Sequence, residues 1–288
     1  MVAAALESQS SPAPIRIGPR VFTWSARTYV MGILNMTPDS FSGDGLALRG
    51  IEAALETARR MVEAGADMLD VGGESTRPGA EPVGAEEEMR RVVPLIEALA
   101  KALPDVPISI DTWKAEVARA ALQSGAHWVN DVWGFLGDSN MANVVAEHDV
   151  PCVLMFNGRG VKVHDVLNDA KAALRRSMEA AREAGVPADR IVLDPGFGFG
   201  ITAEQSLELL RRLRELRELG RPLLAGTSRK SMIGAVLGLP VEARLEGTAA
   251  TVALAIANGA DIVRVHDVQE MTRVARMADA IVRGWRPS

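Results

Sequence analysis

The chain has little of what would support a secreted scaffold, a membrane span or a nucleic-acid surface. One of its 288 residues, Cys152, is cysteine, so no disulfide can form within the chain, and that usage fits a reducing cytoplasm. Cys152 lies inside an apolar run and reads as a small buried hydrophobe. No stretch of about 18 apolar residues occurs, which excludes a membrane-spanning helix. The formal net charge is -5 and no block of lysine or arginine exceeds a few residues, so no nucleic-acid surface is expected. Any anionic ligand must therefore be held by a local cluster. Aromatic residues make up only 4% of the chain, which disfavours a β-sandwich core and suits helix-on-sheet packing. Residues 1–14 have neither a basic start nor a long apolar core. They read as a disordered leader, not a signal peptide, and leave residues 15–288 as a single domain.

What the chain does have is a repeated pattern. Eight short apolar runs stand out, all but the fifth ending in a polar or small residue: Tyr29 to Asn35, Met68 to Gly72, Ile108 to Asp111, Trp128 to Asp131, Cys152 to Phe156, Ile191 to Asp194, Leu223 to Ser228 and Ile262 to His266. Helix-like stretches separate most of them. Strand followed by helix, repeated in this way, predicts a closed parallel α/β barrel, in which every C-terminal strand end lies on one face and the chemistry is built there. Ile15 to Trp24 alternates around Gly18-Pro19 and predicts a hairpin that plugs the opposite end. Two long connections, Met36 to Gly50 and Gly73 to Gly84, stand out as candidate lids, with the first helix starting at Ile51. Leu207, Leu210 and Leu213 predict one amphipathic helix before the seventh strand. Thr248 to Ala257 is apolar or small all round, which predicts a helix covered on two sides, one side facing a second subunit.

On a barrel, residues far apart in sequence fall into one site: Asn35, Asp111, Asn130, Asp194, Lys230, Arg264 and His266. Asp111 and Asp194 with the amide of Asn130 suit a flat heterocycle rich in N–H donors, because carboxylates accept paired hydrogen bonds and reject analogues that lack the donors. Asp111 could instead cap the next helix. Asp194 opens the turn Pro195-Gly-Phe-Gly-Phe-Gly200, whose glycines let backbone approach a ligand closely. Lys230, Arg264 and His266 lie after the seventh and eighth strands, where barrels commonly bind phosphate. The amide oxygen of Asn35 is a plausible ligand for a hard cation such as Mg²⁺. His127, His148 and His164 have no metal-ligand spacing, so no zinc site is expected.

These residues sit in longer motifs. Asn35-Met-Thr-Pro-Asp-Ser-Phe-Ser42, Gly73-Glu-Ser-Thr-Arg-Pro-Gly79, Ser109-Ile-Asp-Thr112, Asn130-Asp131, Asp194-Pro-Gly-Phe-Gly-Phe-Gly200, Ser228-Arg-Lys-Ser231 and Arg264-Val-His-Asp267 follow in order. The ordered set resembles the dihydropteroate synthase family. The resemblance implies a (β/α)8 TIM barrel with an N-terminal β-hairpin, Mg²⁺, a homodimer and a place in folate synthesis. It also implies condensation of 6-hydroxymethyl-7,8-dihydropterin diphosphate with 4-aminobenzoate, releasing diphosphate, with sulfonamides competing for the aminobenzoate position. Carried over by motif, Asp111, Asn130, Asp194 and Lys230 hold the pterin and Met155 lines its pocket. Arg264 stacks on the pterin and reaches the diphosphate, which Asn35 and His266 also bind. Phe41, Thr76, Arg77, Pro78, Phe199 and Ser228 surround aminobenzoate. As catalytic residues the resemblance implies Asn35, Asp111, Asp194, Lys230, Arg264 and His266.

Three departures touch the rim of that site. The chain has Ser42-Gly43-Asp44-Gly45 where the family usually has Ser-Asp-Gly-Gly, Phe156-Asn157 where it often has His-Met, and Ile201 in place of a usual lysine. Other readings are a folate-dependent methyltransferase on a related barrel, a Schiff-base aldolase using Lys230, and a non-catalytic pterin-binding paralogue. The first has no need of the Ser228-Arg-Lys230 and Arg264-Val-His266 clusters that a diphosphate requires.

Overall fold

A computed structural model describes residues 12–36, 46–75 and 81–285. Strands β1 (Ile15–Ile17) and β2 (Arg20–Phe22) form the expected antiparallel hairpin, pairing Ile15 with Phe22 around Gly18 and Pro19. Eight parallel strands follow: β3 (Tyr29–Asn35), β4 (Met68–Gly72), β5 (Ile108–Asp111), β6 (Trp128–Asp131), β7 (Cys152–Met155), β8 (Ile191–Asp194), β9 (Leu224–Ala225) and β10 (Ile262–Val265). They are ordered β8-β7-β6-β5-β4-β3-β10-β9, and a parallel bridge from Leu193 to Leu223 brings the two edge strands together. This is the (β/α)8 barrel that the strand–helix alternation predicts.

Strand period two sorts the interior. Val30, Leu69, Ile110, Val129, Leu154, Leu193 and Val263 face outward and pack under the helices. Tyr29, Met31, Met68, Trp128, Val153, Val192, Leu224 and Ile262 face inward at the N-terminal end, where Ile15, Ile17, Phe22 and Trp24 of the hairpin close over them. Phe22 and Tyr29 meet edge to face at 4.8 Å, and so do Trp24 and Tyr29 at 5.7 Å. The hairpin is thus an apolar floor. Moving up the same strands, the inward positions change from apolar to charged, and that upper layer is the site.

The helices are α1 (Leu46–Glu63), α2 (Ala85–Ala102), α3 (Ala115–Gln123), α4 (Met141–Glu147), α5 (Val166–Glu183), α6 (Ala203–Arg211), α7 (Ser231–Leu237), α8 (Leu245–Ala257) and α9 (Val268–Asp279). Two expectations are corrected. Helix α1 begins at Leu46, ahead of Gly50, because one glycine inside an otherwise good helical sequence costs only about 1 kcal/mol and does not stop it. The helix before the seventh strand is not continuous: α6 ends at Arg211 and residues Leu213–Leu219 tighten into a 3₁₀ turn. There Leu213 and Leu216 share a face with Leu210 at three-residue spacing, whereas Leu207 points to solvent at 38% exposure. Helix α8 is covered on one side within the chain and leaves its other side, where a second subunit is expected, at the surface. Thr248, Thr251, Val252, Ala255 and Ile256 are buried, but Leu254 is exposed, flanked by α7 and α9 with exposed Val236 and Met277.

Candidate active site

The strand ends open into a cavity of about 540 Å³. Its wall includes Asn35, Asp111, Asn130, Met155, Asp194, Phe199, Ser228, Lys230, Arg264 and His266, which brings together every described residue expected there. Phe41, Thr76, Arg77 and Pro78 lie outside the described residues, with residues 37–45 of the first candidate lid and 76–80 of the second.

Arg264 organises the floor. Its Nε donates to Asp70 Oδ2 at 2.5 Å and its Nη2 to Asp111 Oδ2 at 2.6 Å. Asn130 Nδ2 donates to the same Asp70 oxygen at 3.0 Å. Asp70 therefore orients both a cation and an amide of the pocket, although it sits in the middle of β4 and is fully buried. A search of strand ends does not find it. The signal available in the sequence is a carboxylate inside the apolar run Met68-Leu-Asp-Val-Gly72, which only an inward-facing partner makes tolerable. Asp111 is not a helix cap. The N–H of Ala115, at the start of α3, donates to Asp138 Oδ2 instead, at 2.9 Å, leaving Asp111 to the barrel interior.

Burial and charge set the ionisation of the site. Burial, with the neighbouring Asp70, pushes the Asp111 carboxyl up to about 7, against the pull of Arg264. Asp194 is pushed up to about 6 by burial, opposed by the Gly196 N–H that donates to its Oδ1 at 2.7 Å and by Lys230. Lys230 is drawn down to about 8 by burial, with Asp194 holding it up. Burial opposes the charge of Arg264, yet Asp70 and Asp111 keep its pKa above the ordinary value. The site is thus a set of near-neutral titrating carboxyls around one fixed cation. Such perturbed groups converging in a cleft mark functional sites.

On the other flank, Ser228 Oγ lies 3.0 Å from His266 Nδ1 and accepts the His266 backbone N–H at 3.2 Å. Ser228 so joins the His266 side of the cavity to the side where Phe199 lies. Lys230 Nζ sits over the Phe199 ring, 4.2 Å from its centre. The backbone at Arg229 is left-handed, with φ +57°, and is held by its N–H to Thr248 Oγ1 at 3.0 Å and by a fork to Asp267.

The glycine turn after β8 does something other than expected. Gly196 and Gly200 are both left-handed, and a Cβ on either would collide with backbone of the loop after β7, at the Phe156 carbonyl and at Arg159 respectively. Their close approach is loop to loop. Of the turn's glycines only Gly198 lines the cavity, beside Lys230. Two of the three departures from the family pattern lie at this contact, and the first, Ser42-Gly43-Asp44-Gly45, lies outside the described residues. Phe156 is buried in the outer core, Asn157 Nδ2 donates to the Val132 carbonyl at 3.0 Å, and Ile201 packs against Gly158. A second residue missed in the sequence, Glu74, accepts N–H groups from Val83, Trp113 and Lys114, tying the two ends of the second long connection together.

Cys152 is buried, and His127 Nδ1 accepts the Ile108 N–H at the barrel floor, far from any ligand role. Among the described residues no group of three or more His, Cys, Asp or Glu could hold a metal, and no helix is long and apolar enough to cross a membrane.

Comparison with known proteins meets the same site. The family model described as pterin binding enzyme matches residues 31–266. A dihydropteroate synthase of Clostridium beijerinckii is 51% identical over 270 residues, covering 93% of this chain and 100% of that protein. The crystal structure of the Clostridium difficile dihydropteroate synthase in the presence of pteroic acid has a TM-score of 0.87 at 52% identity, covering 91% of this chain and 99% of that one. The Xanthomonas albilineans dihydropteroate synthase with 4-aminobenzoic acid gives a TM-score of 0.87 at 42% identity, covering 94% and 98%. With its barrel, its cavity residues and near-complete coverage of these relatives in agreement, the chain belongs to the dihydropteroate synthase family of pterin-binding enzymes.

Proposed function

We propose that this chain condenses 6-hydroxymethyl-7,8-dihydropterin diphosphate with 4-aminobenzoate to give 7,8-dihydropteroate and diphosphate. The carrying observation is one cavity that brings Asp111, Asp194 and Asn130 together with Arg264, His266 and Asn35. Ionised Asp111 and Asp194 accept the N–H donors of the pterin edge, with Lys230 and Met155 completing the pocket. Arg264 and His266 stabilise negative charge as the bond from the pterin methylene carbon to the diphosphate oxygen breaks and its electron pair leaves with diphosphate. The carbon becomes cationic, a charge the electron-rich ring spreads. The neutral arylamine then attacks with its own lone pair and afterwards loses a proton to solvent, so no dedicated base is required. Phe199 and Ser228, with Phe41, Thr76, Arg77 and Pro78, form the aminobenzoate side. A closed mouth keeps out water, which would compete for the cation.

Asn35 lines the cavity, and an amide oxygen there fits Mg²⁺, which takes few protein ligands beside substrate phosphates. When bound, the ion supplies further charge neutralisation to the leaving group. The exposed apolar strip of α7, α8 and α9 supports a homodimer, and the single buried cysteine supports a cytoplasmic setting for residues 15–288 as one domain.

The test is diphosphate release from purified protein supplied with pterin diphosphate, aminobenzoate and Mg²⁺. Release that depends on both substrates is expected. Tight pterin binding without release overturns the reading in favour of a non-catalytic paralogue.

A further inference from the structure

We infer that Glu74 is a positioning residue for the acceptor half of the site, holding the wall segment that leads from β4 into Thr76, Arg77 and Pro78. The inference rests on the proposed function, which gives those residues to aminobenzoate. Glu74 and Ser75 line the cavity, and Thr76 follows them directly in the chain.

Three donors converge on the Glu74 carboxylate. Its Oε1 accepts the Val83 N–H at 3.0 Å, which ties residue 74 to the approach to α2, nine positions on. Its Oε2 accepts Trp113 Nε1–H at 2.9 Å and Lys114 Nζ at 2.8 Å, both at the entry to α3. Lys114 is anchored in turn, donating to Glu88 Oε2 at 2.5 Å, and Glu88 is fully buried in the first turn of α2. The backbone beside Glu74 is held as well. Arg91 Nη1 donates to the Gly73 carbonyl at 3.0 Å, and a Cβ on Gly73 would strike the Glu88 and Val92 side chains, so this step of the chain lies flat on α2. Trp113 packs against the cluster of Val132, Met155 and Phe199. The indole that donates to Glu74 thus also braces the wall that carries the acceptor-side ring.

The Glu74 side chain is only 11% exposed. Burial works against its charge, but Lys114 and the N–H groups of Val83 and Trp113 outweigh this and hold the carboxyl below its ordinary range. A buried ion pair adds little net stability, because desolvation offsets most of the attraction. What this one fixes is position. Stems tied before the acceptor arrives have already given up chain freedom, so an arylamine meeting them loses less entropy on binding. The pterin groups Asp111, Asn130 and Asp194 stand on strands and need no such tie. Glu74 therefore acts on one substrate and not on the other.

The experiment measures the aminobenzoate KM and, by calorimetry without aminobenzoate, the pterin diphosphate Kd in the wild type, E74A, E74Q and W113F. E74A should raise the KM about tenfold, the effect of losing one charge-assisted hydrogen bond, and leave the Kd within about twofold. E74Q keeps one acceptor oxygen and should fall between E74A and the wild type. W113F removes one neutral N–H donor and no charge, and should raise the KM about threefold with the same unchanged Kd. It decides the matter by itself if E74A does not fold. A KM that stays at the wild-type value in these variants, or a Kd that weakens as much as the KM, overturns the inference. Wild-type protein that releases no diphosphate refutes the proposed function and the inference with it, whereas turnover without this split between the two substrates refutes the inference alone.

Discussion

Replacing Asp70 with asparagine tests the floor of the site without changing its shape. Asp70 and Asp111 share one guanidinium, that of Arg264, through bonds of 2.5 and 2.6 Å. Two carboxylates bridged in this way lie roughly 6 Å apart, and at an effective dielectric of about 20 they repel by roughly 3 kcal/mol, equivalent to about two pH units. Burial and this repulsion hold Asp111 at about 7. A protonated Asp111 cannot accept two N–H groups from a pterin edge. Pterin affinity should then weaken as the pH falls through about 7, with Asp194, at about 6, adding a second and lower acid break, while Lys230, at about 8, loses its charge on the alkaline side. In D70N the repulsion is gone and Arg264 is left to Asp111 alone, so Asp111 ionises at lower pH. The upper acid break should move down by one to two units, within the roughly twofold uncertainty of such energies. Calorimetric pterin affinities from roughly pH 5 to pH 9 decide it. A break that stays in place while affinity falls equally at every pH would show that Asp70 acts only as packing.

Asp194→Ala removes the acceptor of charge-assisted hydrogen bonds in a buried pocket. At about 1.5–3 kcal/mol for each bond lost, pterin affinity should drop by about a hundredfold or more, and an unchanged dissociation constant takes Asp194 out of the pocket. Leu254 stands 54% exposed on α8 amid an apolar strip. A glutamate there should convert a dimer to a monomer by light scattering, because it places an unpaired charge in a dry interface. A wild-type monomer at micromolar concentration removes the dimer.

Short continuous apolar runs with polar ends, separated by helical stretches, made the barrel legible, because a strand buried on both faces leaves few ways to arrange its apolar run. The site was legible where it used strand ends: Asp111, Asn130, Asp194 and Arg264 all converge. Asp70 was not, since its meaning depends on Arg264, 194 residues away, and pairing across a barrel leaves no local trace. The glycines after Asp194 were read as ligand contacts because a sequence shows that backbone is approached closely, but not by what. The break after Arg211 was hidden for a related reason. Leucines at three-residue spacing satisfy an α-helix and a 3₁₀ turn alike.

The contact between the loops after β7 and β8 bears on how this protein can change over time. Gly196 and Gly200 press against the neighbouring loop backbone so closely that any side chain would force the two segments apart. Single substitutions there are closed to a lineage under pressure from an inhibitor. Escape on this flank must come through inserted or deleted residues, or by concerted replacement in both segments, while the rim residues around them stay free to vary one at a time.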